Sequence, residues 1–194
     1  MSAGIDINSF LRPVQDTSIQ AYFGQGLHTL SLLRWLLPQT GSADVFLSSY
    51  STSEPFLNCF HILKRKRLVR KSMILLDQRA ARKTIQLERL LSEAFDNVFL
   101  GQNHSKILLI RNSNFSVSVV TSQNQTYGGR AESTIITTDK AVFDVLIAQF
   151  VSICGDGAVE LDIKNGQGII TENRRTGIPD DDSTADWRPF GLEW

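Results

Sequence analysis

The sequence predicts an α/β sandwich, in which helices cover both faces of a mixed, mostly parallel central sheet. Two observations lead to this class. Amphipathic helical patterns alternate with short apolar runs over residues 26–95, and a cluster of strand-like runs follows between residues 98 and 137. Helices interleaved with strands are typical of a sheet that is covered on both faces. The 42% hydrophobic content, with 21% charged residues, is that of a globular chain that can bury a core.

The first half of the chain predicts repeated units of strand and helix. Regularly spaced leucines form a helical stripe that ends at Pro38 and Gly41, and Thr52 or Ser53 can cap the next helix. Apolar runs alternate with these stripes. The predicted elements are a helix over 26–37, a strand over 44–49, a helix that continues to residue 68, a strand over 72–76 and a helix over 83–95.

The second half predicts neighbouring strands and one more helix. The pattern dissolves after Gly155 into Gly, Asn, Asp, Thr and Pro, which indicates a flexible tail. The predicted elements are strands over 98–100, 106–110, 115–120 and 133–137, and a helix over 140–153. The predicted organisation is an N-terminal arm at 1–25, one domain at 26–155 and an acidic tail at 156–194.

The formal net charge of zero hides an asymmetry along the chain. Residues 1–155 contain 16 Lys and Arg against 11 Asp and Glu, whereas residues 156–194 contain 4 against 9. A basic domain is compatible with a polyanionic partner. Four adjacent cations favour contacts to nucleic-acid phosphate about as strongly as a solvated helix end: Lys64, Arg65, Lys66 and Arg67.

The sequence favours a reducing, cytoplasmic setting. The N-terminus lacks the pattern of a secretory leader, and no apolar run is long enough to anchor the chain in a membrane. Cys59 and Cys154 each lie in an amphipathic segment, as expected of reduced core residues. The aromatic C-terminal end, which contains Trp187, Phe190 and Trp194, suggests a segment that docks on a protein partner or on the protein's own dimer.

A group of polar residues around two successive strands is the candidate for chemistry. His104 and Lys106 precede a predicted strand, where alternation directs both side chains to one side of the sheet. A neutral imidazole can attack phosphorus, and an ammonium can hold a phosphate oxygen. Ser122 and Asn124 follow the next strand and can donate to the same phosphate, while Glu132 can orient the imidazole.

The order of these residues resembles the motif of the phospholipase D superfamily, His-x-Lys, then Ser-x-Asn and a downstream Glu. The resemblance covers roughly residues 26–154 and implies a phospholipase D-like αβα sandwich. Two positions depart from the motif: Arg111 replaces its Asp, for which Asn112 or Asn114 can substitute, and Thr121 replaces a glycine. The resemblance further implies a phosphohistidine on His104, a second His104 from a homodimer partner, and no metal or cofactor.

The function predicted from these observations is a metal-independent phosphodiesterase, a nuclease that cleaves DNA or RNA as a homodimer. One alternative, suggested by Arg111, is a catalytically weakened protein that binds nucleic acid or assembles with other proteins. Another is an enzyme acting on phospholipids. Arg130 is expected to contact a second phosphate, whereas His28 and His61 are interpreted as structural. A single histidine without Cys, Asp or Glu at ligand spacing does not predict a metal site.

Overall fold

The computed structural model describes residues 6–125 and 129–162, which contain one eight-stranded sheet with the strand order β1-β7-β6-β5-β2-β3-β4-β8. The order shows that the chain begins at one edge of the sheet and that its last described strand closes the other. The strands are β1 (Ile19–Gly24), β2 (Ala43–Ser49), β3 (Val69–Asp77), β4 (Asn97–Gly101), β5 (Ile107–Arg111), β6 (Ser116–Thr121), β7 (Glu132–Thr137) and β8 (Val159–Glu160).

Helices pack on both faces of this sheet, as predicted. One face buries a large apolar cluster that includes Leu33, Phe60 and Phe95, and the other buries a smaller one around Phe46 and Phe143. The first face is covered by α1, α2 and α4, and the second by α5. The helices are α1 (Thr29–Thr40), α2 (Glu54–Arg65), α3 (Ala81–Gln86), α4 (Glu88–Ala94) and α5 (Lys140–Asp156).

The sheet is mixed, but it is mostly antiparallel, which corrects the predicted parallel majority. Strands β2, β3 and β4 pair in parallel, because helical crossovers return the chain to the same edge each time. The other five pairings are antiparallel. Strands β5, β6 and β7 follow one another through loops that reverse the chain direction, so they form a meander rather than further crossover units.

Several helix boundaries differ from the predicted ones. Gly41 ends α1, with its φ of 79° and its N–H donated to Leu37 O, whereas Pro38 lies within the last turn. The helix predicted over 83–95 is two short helices that meet at Leu87. Helix α5 begins as predicted, because the Asp139 carboxylate accepts the N–H groups of Ala141 and Val142.

The segment predicted as an N-terminal arm contributes to the domain. Ile7, Leu11 and Val14 are buried in the larger apolar cluster, and β1 pairs along its whole length with β7. Strand β1 is absent from the sequence prediction because its outward positions are apolar. Phe23 is 80% exposed and Ile19 65% exposed, so the chain shows no alternation of apolar and polar residues there.

The first residues beyond Gly155 also belong to the domain. Strand β8 pairs with β4, and Leu161 donates its N–H to Val98 O. Gly101, at the end of β4, leaves room for this strand, because a Cβ at that position would lie 3.1 Å from the Ala158 Cβ. The rest of the predicted tail, with its aromatic end, lies outside the described residues.

No helix in the described ranges is long and apolar enough to cross a membrane. Both cysteines are free: Cys154 is buried on α5 and Cys59 is half-buried on α2. Burial, together with the negative charge of Glu160, raises the pKa of the Cys154 thiol to about 12. Cys154 therefore behaves as an unreactive core thiol.

Candidate active site

The predicted catalytic residues lie together along one edge of the sheet, the edge formed by the strand ends where β2, β3 and β4 finish. His104 and Lys106 precede β5, Ser122 follows β6, and Glu132 begins β7. Because these three strands are successively antiparallel, the start of β5, the end of β6 and the start of β7 lie side by side. The Thr121 N–H donates to Lys106 O at 3.0 Å, which fixes this alignment.

The imidazole of His104 and the ammonium of Lys106 lie next to each other. The Lys106 Nζ is 3.3 Å from the His104 Nδ1 and donates to the His104 carbonyl oxygen at 2.6 Å. The Tyr50 ring meets the imidazole edge-on, with the ring centroids 5.8 Å apart. His104 is otherwise exposed, so both polar groups can reach one phosphate from solvent.

A buried asparagine, which no sequence pattern indicated, holds the loop that carries His104. The Asn103 Oδ1 accepts from the Ser48 Oγ at 3.0 Å and from the Ser105 N–H at 3.1 Å. Its Nδ2 donates to backbone carbonyls of β2 and β3 at 3.0 and 3.2 Å, and its N–H donates to the Asp77 carboxylate. The side chain thereby connects two parallel strands to the candidate nucleophile.

Ser122 and Glu132 form a second pair at this edge. The Ser122 hydroxyl donates to the Glu132 carboxylate and accepts the N–H of Ser133 at 3.0 Å. The sequence pattern predicted that Glu132 orients the imidazole of His104. In the part of the chain that the structure describes, the hydrogen bond of this carboxylate goes to Ser122 instead.

The turn after β6 carries polar groups that are buried without partners. The Asn124 Oδ1 has no hydrogen-bond partner among residues 6–125 and 129–162, and neither amide atom of Gln125 has one. Gln125 is 6% exposed, and its backbone is held by Ser49 and Ser53. Arg130, two residues before Glu132, is exposed.

Arg111, which replaces the motif Asp, lies away from this edge. It ends β5, opposite Asp44 of β2, whereas His104 precedes the start of the same strand. Asn112 organises the turn there: its Oδ1 accepts the N–H groups of Asn114 and Phe115, both at 2.9 Å. Arg111 is therefore separated from His104 by the length of β5, and the side-chain hydrogen bonds of Asn112 go to its own turn and to the carbonyl groups of Thr40 and Ser42.

The predicted basic run lies at the opposite edge of the sheet. The run lies at the end of α2 and just before β3, and it consists of Lys64, Arg65, Lys66 and Arg67. Strand β3 has nine residues and spans about 26 Å, at about 3.3 Å per residue. The Lys64 ammonium is paired with Asp96 at 2.6 Å. The structure therefore does not bring these cations to His104.

Three exposed cations instead follow the end of β3, on the same edge as His104. The sequence pattern had not assigned these cations to the site. The Arg79 N–H donates to the Asp77 carboxylate, which also anchors Asn103. The three residues are Arg79, Arg82 and Lys83.

His28, interpreted from the sequence as structural, also lies at this edge. It directly precedes α1, and its Nδ1 is 2.7 Å from the Nε2 of Gln123, the residue between Ser122 and Asn124. Burial lowers the pKa of His28, and the negative charge of Glu132 opposes part of this change. Within the described ranges, no three His, Cys, Asp or Glu side chains are grouped as metal ligands.

No family model and no curated protein matches the sequence. Solved structures are nevertheless similar in fold. NucT from Helicobacter pylori matches with a TM-score of 0.53 and 14% identity, over 72% of this chain and 98% of NucT. Polyphosphate kinase from Porphyromonas gingivalis matches with a TM-score of 0.51 and 13% identity, over 73% of this chain and 26% of the kinase. Phosphatidylserine synthase from Haemophilus influenzae matches with a TM-score of 0.52 and 9% identity, over 74% of this chain and 40% of the synthase.

These three proteins are members of the phospholipase D superfamily. The chain described here therefore has the phospholipase D-like fold, as the resemblance of its motif predicts. It spans about a quarter of the kinase and two fifths of the synthase, but nearly the whole of NucT.

Replacing Asn103 by Ala is expected to destabilise the protein by about 2–4 kcal/mol, because buried hydroxyl and carbonyl groups lose their partners. Chemical denaturation measures the effect. Asn114→Ala, in an exposed turn, is the matched control and is expected to change stability by less than about 0.5 kcal/mol. Equal stabilities for the two variants would show that the asparagine network does not hold the loop.

Proposed function

We propose that the protein is a metal-independent phosphodiesterase, a nuclease that cleaves DNA or RNA. The observation that carries this proposal is the placement of His104, Lys106, Ser122 and Glu132 on one edge of a phospholipase D-like sandwich. An imidazole nucleophile, an ammonium, and hydroxyl and amide donors can together carry out phosphoryl transfer without a metal.

The reaction would proceed in two displacements at phosphorus. A nitrogen of His104 attacks the phosphodiester, and the bond from phosphorus to the leaving oxygen breaks as that oxygen takes a proton from a second imidazole. That imidazole then removes a proton from water, which attacks the phosphohistidine and releases His104. Lys106 and the side-chain amide of Asn124 would hold the non-bridging oxygens through both steps.

The second imidazole would come from a second copy of the chain. Each chain has a single His-x-Lys sequence, which supplies one nucleophile and leaves the general acid to be found elsewhere. His104 is exposed at the edge of the sheet, where the same residue of a symmetric partner can approach it. Two-fold dimers are the commonest closed assemblies.

Nucleic acid is the substrate that charge and size favour. The basic excess of residues 1–155 suits a polyanion, and this chain aligns with nearly all of NucT, described as a nuclease. The cations Arg79, Arg82 and Lys83 would contact phosphates next to the scissile bond. The run at 64–67 lies about 26 Å from the site, so it would contact only a duplex that extends at least about eight base pairs beyond the scissile bond.

A phospholipid substrate is the second candidate, because an apolar surface lies beside the site. Strands β1, β6 and β7 expose four large apolar side chains on one face of the sheet, and Phe23 pairs in register with Ser133, next to Glu132. The exposed residues are Ile19, Phe23, Val120 and Ile135. Hydrolysis of phospholipid vesicles, with plasmid DNA left intact, would favour this candidate.

Cleavage of supercoiled plasmid and single-stranded DNA is expected to persist in excess EDTA. His104→Ala is expected to abolish this cleavage. Lys106→Ala is expected to lower the rate by about 10²–10³-fold, because the ammonium that stabilises the negative charge of the transition state is lost. His61→Ala, on α2, serves as the control and should cleave normally. Activity that requires added magnesium would overturn the proposal. Binding of DNA without cleavage would favour the weakened binding protein.

The protein is expected to behave as a dimer, with twice the 21.7 kDa mass of the chain in light scattering. Wild-type protein can be mixed with an excess of His104→Ala under conditions in which subunits exchange. The activity of the mixture should then be lower than the value expected if the wild type were only diluted. Mixed dimers would contain one imidazole and could not complete the two displacements. A monomeric mass, or activity that falls only in proportion to dilution, would contradict the two-histidine mechanism.

Two sets of three cations test the path of the nucleic acid. Replacing Arg79, Arg82 and Lys83 by Ala should make the affinity for duplexes of every length less dependent on salt. The slope of log affinity against log salt should fall by about 0.9 per lost phosphate contact. The far-edge set, Arg65→Ala, Lys66→Ala and Arg67→Asn, should do so only on duplexes longer than about eight base pairs. Lys64 is kept because it pairs with Asp96, and Asn is chosen because Arg67 has a φ of 59°. An unchanged slope for the far-edge set on long DNA would make that run a solvated helix end.

A further inference from the structure

His28 and Gln123 connect helix α1 to the turn that would bind phosphate. Gln123 lies between Ser122 and Asn124 and is 4% exposed. One end of its side-chain amide is next to the His28 ring, and the other meets the first N–H of α1. The link joins parts of the chain that are 95 residues apart.

The hydrogen bonds determine the protonation of the His28 ring. The Thr29 N–H donates to Gln123 at 2.9 Å, and since an N–H group can only donate, the amide atom that faces it must be the oxygen. The amide nitrogen therefore faces the His28 Nδ1 at 2.7 Å. Because that nitrogen also only donates, Nδ1 must accept, and the ring is neutral with its proton on Nε2.

Burial and charge act in opposite directions on this ring. Partial burial disfavours the imidazolium and lowers the pKa of His28, whereas the Glu132 carboxylate, on β7, favours the imidazolium. Glu132 also accepts the hydrogen bond of Ser122. A proton gained by His28 would thus remove one contact of the turn and place a cation near the carboxylate that holds its other end.

We propose that His28 is a positioning residue: as a neutral acceptor it holds Gln123, and through it Ser122 and Asn124, in the geometry that binds a phosphodiester. Protonation of Nδ1 would leave two hydrogen-bond donors, the His28 Nδ1–H and the Gln123 Nε2–H, facing each other with no acceptor between them. The contact would break and the turn would be released. The inference rests on the proposed function, because it assumes that this turn binds phosphate. His28 itself does not touch the substrate.

The sign of the pH effect follows from the direction of the pKa change. A histidine whose pKa is lower in the folded protein than its ordinary value of 6.5 binds fewer protons when folded. Both the hold on the turn and the stability contributed by His28 are therefore complete above about pH 6.5. They are lost as the pH falls from that value through the folded pKa.

The experiment measures binding of dimethyl phosphate, a phosphodiester anion that does not titrate between pH 5 and 7.5, through the NMR shifts of the His104 ring. His28→Gln keeps an acceptor for Gln123 but cannot titrate, so it should bind within twofold of wild type at pH 7.5. The ratio of the wild-type to the variant dissociation constant should then rise at least about fivefold once the pH has fallen far enough to protonate the His28 ring, which its nitrogen shifts report in the same samples. His28→Leu should bind about fivefold more weakly at pH 7.5, and His61→Gln, a second half-buried histidine that contacts Glu93 O, should follow wild type at every pH.

Two results would overturn the proposal: unchanged binding by His28→Leu, or a ratio that stays constant while the nitrogen shifts show the His28 ring becoming protonated. Nitrogen shifts of the His28 ring separate this failure from that of the proposed function. An unprotonated Nδ1 in a protein that binds no dimethyl phosphate would reject the phosphodiesterase and leave the link purely structural. A protonated Nδ1 at pH 7.5 would reject the link itself. Thermal melting of each variant confirms that it is folded.

Discussion

The hydrogen-bonded register of β5, β6 and β7 is the constraint on which the rest of the structure depends. It places residues 104 and 132, 28 positions apart, at the same edge. Leu108 and Leu109 are fully buried on opposite faces of the sheet, so a shift of β5 by one residue would exchange two packed surfaces. The relative positions of the site residues are therefore maintained mainly by core burial, and only secondarily by contacts among those residues.

Sequence patterns predicted the elements whose burial follows a simple period. Helix α1 and helix α5 bury regular stripes, and β2 is buried along its whole length around the apolar run at residues 45–47. Strand β1 could not be predicted, because its exposed positions carry Ile19 and Phe23 while its inward positions include Gln20 and Tyr22. The parallel majority was wrong because apolar periodicity reports burial and not chain direction; direction depends on whether a helix or a short loop connects two strands.

The candidate site divides in the same way. Motif spacing predicted that His104, Lys106, Ser122 and Glu132 belong together, and the sheet brings them to one edge. The supporting groups left no such signal. Asn103 acts through backbone carbonyls, which any sequence provides, and the contact of His28 with Gln123 depends on packing between distant segments. The roles of Asn103 and His28 could therefore be inferred only from three-dimensional contacts.

Strand β8 joins the C-terminal side of the domain to β4, the strand that leads into the His104 loop. Val159–Glu160 pairs with β4, and Ala158 fills the space left by Gly101, two residues before Asn103. Ala158 and Leu161, which flank β8, are 1% and 7% exposed, so core packing holds the strand in addition to its pairing with β4. Loss of this segment would uncover both the hydrogen-bonding groups of β4 and the apolar groups beneath it, which is the kind of open strand edge that promotes aggregation.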